Sequence, residues 1–300
     1  MRMMMALLVL CVPTFAFGQT ADEKKATIAY IQSLQIDSGA FLSMQPKPNI
    51  RLAPSLRATS AAIRALKYWG AEIPNVEAVK KYVASCFDAE SGGFGERPGN
   101  PAELFVTATG LMAAAELKMP LDIYREKTVA YFVKEVKTFE DMRIAVAGLE
   151  AIGEPGKLLG DETATKWVML SPQIRKDGAF IREARTVGGT VAAQYRLGFV
   201  LPSPVREKEV LTALSEDQRP DGGFGFPDKE TSDLETTYRV MRTFARLKGS
   251  PKSIDKVRAF LAKCRNADGG YGVAPGEGST GPATYYAGII LYWLDGASKK

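Results

Sequence analysis

The 300-residue chain contains no histidine. That absence removes every Ser-His or Cys-His nucleophile pair, every imidazole general base and every imidazole metal ligand. Cysteine is scarce as well: of three, Cys11 sits in an N-terminal apolar run, leaving Cys86 and Cys264. Charge of neither sign is concentrated. Lys and Arg exceed Asp and Glu by five, but they are scattered, so the sequence carries no nucleic-acid footprint. After the first 17 residues no apolar stretch approaches the length of a membrane span. With 46% hydrophobic and 24% charged residues, the chain can bury a core that needs neither disulfide nor metal for stability.

The N-terminus has its own pattern. Arg2 precedes the apolar run Met3 to Phe17, and Ala16, Phe17 and Gly18 place small residues where a signal peptidase reads them, before polar "QTADEKK". Residues 1–18 read as a secretory signal peptide cleaved after about Gly18. The expectation is one domain over 19–300, secreted or periplasmic, with no membrane span.

Gly-aromatic hooks punctuate that domain: "SGAF" at Phe41, "SGGFG" at Phe94, "DGAF" at Phe180, "DGGFG" at Phe224 and "DGGYG" at Tyr271, separated by 53, 86, 44 and 47 residues. The double-length interval holds two helical patterns and no hook, so one degenerate unit lies there, giving six units of two-helix size. Before each hook the apolar residues form a single stripe, as in Val76, Val79, Val83 and Cys86, or Ile254, Val257, Leu261 and Cys264. After it they occupy more than one side. In the fifth unit Leu234, Tyr238, Met241 and Ala245 make one stripe, and Thr237, Val240, Phe244 and Leu247 the next. One stripe implies an outer helix and two an inner one. The apolar last unit, "YYAGIILYWL", favours a ring closed on the first unit over a capped solenoid. The predicted fold is all-α: an α/α toroid of six outer–inner pairs. In such a ring Cys86 and Cys264 lie two units apart, beyond the ~7 Å a disulfide tolerates, so both are expected to be free buried thiols.

The segments "GGFGERPGNPAELFVTATGLMAAAEL", "DGGFGFPDKETSDLETTYRVMRTFARL" and "DGGYGVAPGEGSTGPATYYAGIILYWL" resemble the repeats of the prenyltransferase and squalene-cyclase family, closest to the β-subunit of protein geranylgeranyltransferase type II. The resemblance implies a zinc site with an Asp-x-Cys pair on one inner helix and a His on the next. Asp233 matches the aspartate, but Glu235 stands at the cysteine position and Thr284 at the histidine position. Such a set suits zinc poorly. Of the diphosphate-binding loop Lys229 is retained, beside Phe226 and Asp228. The Asp-x-Asp-Asp acid of the family's class II cyclases and the Cys-Gln thioester of complement-like toroids do not occur. The helical α-subunit that partners these transferases leaves no trace to read in this chain.

Local chemistry offers a second reading of the same residues. Ser232 with Glu235 three positions on forms a capping box, with Asp233 as the first helical residue; Asn100, Pro101 and Glu103 repeat the arrangement, and Gly281–Pro282 open the last inner helix. Arg57, Arg143, Arg185, Arg196, Arg239 and Arg242 lie on or beside inner helices, either paired with carboxylates or lining a cavity for an anion. Tyr238, Tyr285, Tyr286 and Trp293 either wall an apolar pocket or pack the core. The expected function is a catalytically diverged toroid holding an apolar, isoprenoid-like or peptide ligand, with Lys229, Tyr238, Arg239, Tyr285 and Tyr286 as ligand-binding candidates and no zinc. The alternative is an active transferase or cyclase whose site is rebuilt around Asp233, Glu235 and Lys229, with Mg²⁺ on oxygen ligands.

Overall fold

A short backbone device joins each hook to the helix that follows it. The computed structural model describes residues 19–172, 175–176, 179–180, 183–199 and 204–297. The leader and its cleavage site lie outside them, as do Asp177 and Gly178 of the third hook. In four repeats the backbone N–H of the anchor aromatic donates to a threonine hydroxyl on the following inner helix: Phe41 to Thr59 (3.0 Å), Phe94 to Thr107 (2.8 Å), Phe224 to Thr237 (3.0 Å) and Tyr271 to Thr284 (3.0 Å). Each threonine in turn donates to the carbonyl four residues earlier, at 2.7–2.8 Å. All four threonines and all four aromatics are buried. An amide left unpaired there would cost about 1–3 kcal/mol, so the hydroxyl fixes the hook against its own helix.

The helices fall into six pairs. The outer members are α1 (Ala21–Gln32), α3 (Val76–Ser85), α5 (Asp122–Glu135), α7 (Pro155–Val168), α9 (Pro204–Glu216) and α11 (Ile254–Cys264). The inner members are α2 (Leu56–Trp69), α4 (Leu104–Glu116), α6 (Phe139–Leu149), α8 (Ala184–Arg196), α10 (Leu234–Leu247) and α12 (Gly281–Ala297). Each inner helix packs on the next, and α12 packs on α2, so the inner layer closes into a ring. This is the α/α toroid expected from the repeat count. Small residues permit the close approach: a Cβ on Gly148 of α6 would lie 2.7 Å from the Ala108 backbone of α4. The degenerate unit is α5–α6, which follows the second hook without one of its own. Short antiparallel pairs, Phe87–Asp88 with Gly93–Phe94 and Arg175–Lys176 with Ala179–Phe180, form two of the hooks.

A second device joins repeat to repeat at three of the six joints. The first N–H of an inner helix donates to the carbonyl two residues past the next repeat's anchor: Leu56 to Glu96 (2.9 Å), Leu234 to Val273 (2.8 Å) and, across the closure, Gly281 to Ser43 (2.8 Å). The hook glycine completes the joint. Gly222 (φ +100°) and Gly269 (φ +89°) lie where a Cβ would strike the backbone of the next outer helix, at Lys256 of α11 and Ala26 of α1. Only glycine adopts that φ cheaply and leaves that space. At the closure Thr27 Oγ1 also donates to the Gly269 carbonyl (2.8 Å) and Gln19 Nε2 to the Tyr271 hydroxyl (2.7 Å).

The hooks also overturn the expected helix caps. The N–H of residue 233 bonds to the Phe224 carbonyl (2.9 Å), which makes Asp233, rather than Ser232, the N-cap; its carboxylate accepts from Thr236 N (2.7 Å). Ser232 instead donates to Asp221 of the hook (2.7 Å), and Glu235 caps nothing. In the second repeat the bond from Glu103 N to the Phe94 carbonyl (3.0 Å) shifts the start in the same way. There α4 begins at Leu104 with no side-chain cap, and Asn100 and Pro101 stay in the loop. Gly281 does open α12. Cys86 and Cys264 are separate, buried, free thiols.

Candidate functional site

Two faces of each inner helix are consumed by its neighbours and its outer partner, and the third looks down the axis of the ring. On α2 that face carries Arg57, Ala61, Arg64 and Tyr68; on α10 it carries Glu235, Arg239, Arg242 and Arg246, a stripe at helical spacing. The cavity has two chambers. One, of about 580 Å³, opens at the N-terminal ends of the inner helices, and the other, of about 660 Å³, opens at their C-terminal ends. They share Arg64, Met112, Tyr238, Arg242 and Tyr285, which form a waist.

At the N-terminal mouth the carboxylates are bound by guanidinium groups. Arg239 reaches Glu235 (2.6 Å) and Glu140 (3.2 Å); Arg143 reaches Glu140 (2.8 Å), Arg185 reaches Glu235 (3.6 Å) and Arg57 reaches Glu96 (2.5 Å). Burial pushes Glu140 up, but Arg143 and Arg239 together hold it below its ordinary range. In the C-terminal chamber Glu150 is clamped between Arg196 (2.7 Å) and Arg246, with the same result. Five of the six arginines singled out in the sequence are thus ion-paired. Among the described residues Arg242 has no such partner.

The positions matching the family's zinc ligands do not converge on a metal. Asp233 caps α10, Glu235 is held by Arg239 and Arg185, and the Thr284 hydroxyl is already paired on both sides, with Tyr271 N and the Thr280 carbonyl. The donor set therefore does not fit zinc. Among the described residues no three of His, Cys, Asp and Glu come together to hold any metal ion. Lys229 lies 5.5 Å from the Phe226 ring, whose face Arg185 covers at 3.9 Å. Neither Lys229 nor Asp233 lines a chamber, whereas Glu235, Arg239, Tyr238, Tyr285 and Tyr286 do.

Aromatic rings fill the wall beside the waist. Tyr238 stacks on Trp293 (5.8 Å, 9°) and on Tyr286 (4.8 Å, 28°), and its hydroxyl lies 3.0 Å from that of Tyr285. Arg242 sits over Tyr238 and Arg64 over Tyr285, each 4.2 Å from the ring centroid. Burial, with Arg196, Arg143 and Arg64 close by, lowers Arg242 to about 9. Arg64 was missed in the sequence; its signal was the i, i+4, i+7, i+11 stripe of α2, which has the same spacing as the charged stripe of α10. Chemically, the cavity offers aromatic surface and cationic donors. Glu140 and Glu150, held below their ordinary range by arginine, do not serve as proton donors.

Known proteins place this architecture. The sequence matches the family described as prenyltransferase alpha-alpha toroid domain over residues 1–143, 60–184 and 144–300. Among solved structures it is similar in fold to a type II terpene cyclase from Scytonema in complex with geranylgeranyl dihydroxybenzoate, at 10% identity and a TM-score of 0.59, covering 93% of this chain and 97% of that one. It is similar to the same cyclase without ligand at a TM-score of 0.60, with 10% identity over 93% and 98% of the two chains. A glycosidase variant in complex with glucose superposes with a TM-score of 0.59, 15% identity and coverage of 94% and 99%. No curated protein matches the chain in sequence. At these identities the structural likeness concerns the fold alone. No described helix is long and apolar enough to cross a membrane.

Proposed function

The chain belongs to the prenyltransferase α/α-toroid family, and we propose that it is an exported, catalytically diverged member that binds an apolar, isoprenoid-like ligand in its central cavity. The observation that carries the reading is the fate of Thr284. Where the family's transferases place a zinc-binding histidine, this chain has a hydroxyl whose two hydrogen bonds hold the hook, in a pattern shared by three other repeats. Chemistry at that position has given way to architecture.

Catalysis by a proton-donating acid finds no support in the cavity either, because each glutamate that lines it is paired with a cation: Glu96 with Arg57, Glu116 with Lys67, Glu150 with Arg196 and Glu235 with Arg239. What is left is a pair of chambers walled by Tyr68, Tyr238, Tyr285, Tyr286 and Trp293, of the size and character that ligand cavities have. The likeness to a cyclase holding a geranylgeranyl compound favours an isoprenoid body over a peptide. Export rests on the leader at residues 1–18.

The test is titration of the purified mature chain with geranylgeranyl diphosphate, followed by tryptophan fluorescence, with and without Zn²⁺ and Mg²⁺. Trp293, stacked on Tyr238, reports occupancy. The expected result is saturable quenching that neither metal alters, with no product by mass spectrometry. Metal-dependent binding that disappears in Asp233→Ala would overturn the diverged reading in favour of a rebuilt transferase site. No binding under any condition would sink the isoprenoid assignment.

A further inference from the structure

The charges along the cavity are unbalanced, and the imbalance is localised. Eight arginines and Lys67 face it, against four glutamates. Most of those cations are matched at the two mouths by Glu96, Glu116, Glu140, Glu150 and Glu235. At the waist the matching stops. Among the described residues Arg64 reaches only neutral groups: the Tyr285 hydroxyl (3.2 Å), the Met112 sulfur (3.2 Å) and the Ser60 carbonyl (3.4 Å). Arg242 has the face of Tyr238 and, among the described residues, no carboxylate within ion-pair distance. Among the described residues, two guanidinium groups thus lie at the waist without a counter-charge, each over a tyrosine ring.

Placing cations in a low-dielectric interior is costly unless a partner anion is supplied. Arg242 already feels that cost: burial and the nearby Arg196, Arg143 and Arg64 bring it down to about 9, which still leaves it charged at neutral pH. Both groups border both chambers, so a group seated between them can continue as an extended body on either side. The N-terminal chamber is the more suitable for an apolar tail, since Ala58, Ala61, Phe105, Ile144, Pro282 and Tyr286 line it. At that mouth Arg57, Arg143 and Arg239 are already held by Glu96, Glu140 and Glu235, so their charges are matched where those at the waist are not.

We infer that the ligand is an amphiphilic anion, a carboxylate or phosphate monoester on an apolar tail, whose head seats between Arg64 and Arg242 at the waist while its tail extends through the N-terminal chamber. This rests on the reading of the cavity as an isoprenoid-binding site and adds the polarity and direction of the ligand. The guanidinium forks supply the charge-assisted donors, and the hydroxyls of Tyr238 and Tyr285, 3.0 Å apart, can each turn a proton towards the head.

The experiment compares three probes that share one tail: geranylgeraniol, geranylgeranyl monophosphate and geranylgeranoic acid. Binding is read from tryptophan fluorescence on the mature chain. Both anions, or the one whose head fits, should bind at least ten-fold more tightly than the alcohol, and the advantage should shrink as salt rises. Arg242→Met and Arg64→Met should each reduce the anion to the affinity of the alcohol, whereas Arg242→Lys keeps part of the difference. A phosphate preference and a carboxylate preference each support the inference and identify the head. Equal affinity for alcohol and anions, or an advantage untouched by both methionine variants, overturns the inference and leaves the isoprenoid reading standing. Failure of all three probes to bind overturns both.

Discussion

Replacing Thr284 by valine removes one oxygen and nearly preserves shape, so its cost can be worked out bond by bond. The Tyr271 amide loses its only acceptor, the hydroxyl at 3.0 Å, in a setting where both residues are almost wholly buried. An unmade buried amide bond costs about 1–3 kcal/mol. The other lost bond, from the hydroxyl to the Thr280 carbonyl, strands nothing, because that carbonyl also accepts from Thr284 N at 3.0 Å. Its loss adds about 1 kcal/mol at most. The expected total is roughly 1–4 kcal/mol, a fall in melting temperature of roughly 2–7 °C at this chain length. Thr284→Ser keeps the hydroxyl and loses one methyl, for about 1 kcal/mol. Thr284→His, which restores the family's imidazole, has no room at a fully buried position; it should destabilise more than valine and gain no zinc affinity by calorimetry. Urea unfolding followed by circular dichroism, with the midpoint and slope fitted for each variant, measures all three. A valine variant within 0.5 kcal/mol of the parent, or a serine variant as damaging as valine, would refute the assignment of Thr284 to the hook and reopen a functional role for that position.

Two further outcomes follow from the same architecture. Gly269 and Gly276 both have positive φ, but a Cβ at Gly269 would lie 2.5 Å from the Ala26 carbonyl of α1, whereas one at Gly276 meets nothing within 4 Å. Gly276→Ala should cost about 1 kcal/mol of backbone strain, and Gly269→Ala several-fold more in urea unfolding; equal costs would argue against a tight closure between the last and first repeats. Buried tyrosines should set the alkaline limit of stability. Burial, aided by neighbouring charges, pushes Tyr68 and Tyr286 up to about 12 and Tyr30, Tyr82 and Tyr271 further still. Above pH 10 the unfolded chain loses these protons while the folded chain keeps them, so stability, complete below about pH 10, falls as pH rises beyond it. Phenolate absorbance and helical circular dichroism should therefore change together, and phenolates that appear well before helix is lost would contradict the burial of these rings.

Periodicity and the hooks made the architecture legible, since a Gly-aromatic turn every 40–50 residues and the contrast between one apolar stripe and two follow directly from how inner and outer helices are buried. What the sequence misplaced was local. The run from Ser232 to Glu235 satisfies the pattern of a capping box, but a backbone bond from the hook decides where the helix begins, and it gives the cap to Asp233. Glu235 is then free to face the axis and meet Arg239 and Arg185. The cavity was harder to see because a polar stripe on a helix ordinarily faces bulk water. In a ring the same stripe faces the interior, and no property of Arg64 or Arg242 taken singly distinguishes the two. The threonine lock recurs 13 residues after Phe94, Phe224 and Tyr271, and 18 after Phe41. Aligning the repeats on their anchors would have exposed it, and with it the reason Thr284 is a threonine.

The joint between the sixth repeat and the first uses the same bond as the joints between the first and second and between the fifth and sixth repeats, from an inner-helix N–H to the carbonyl two residues past the next anchor. The closure is therefore built as those two joints are, and the chain ends interrupt a covalent path without interrupting the packing. New termini placed between an outer helix and its hook, with a short linker bridging the old ones, should yield the same toroid. Such circular permutants would differ mainly in speed. In the natural order the closing contacts join residues more than 210 positions apart, such as Arg64 and Tyr285 or Ser43 and Gly281, and loops of that length are slow to close. The closing contacts should therefore form last, and until they do, the sixth inner helix, with Tyr285 and Trp293 on its cavity face, waits for the first repeat to complete its site.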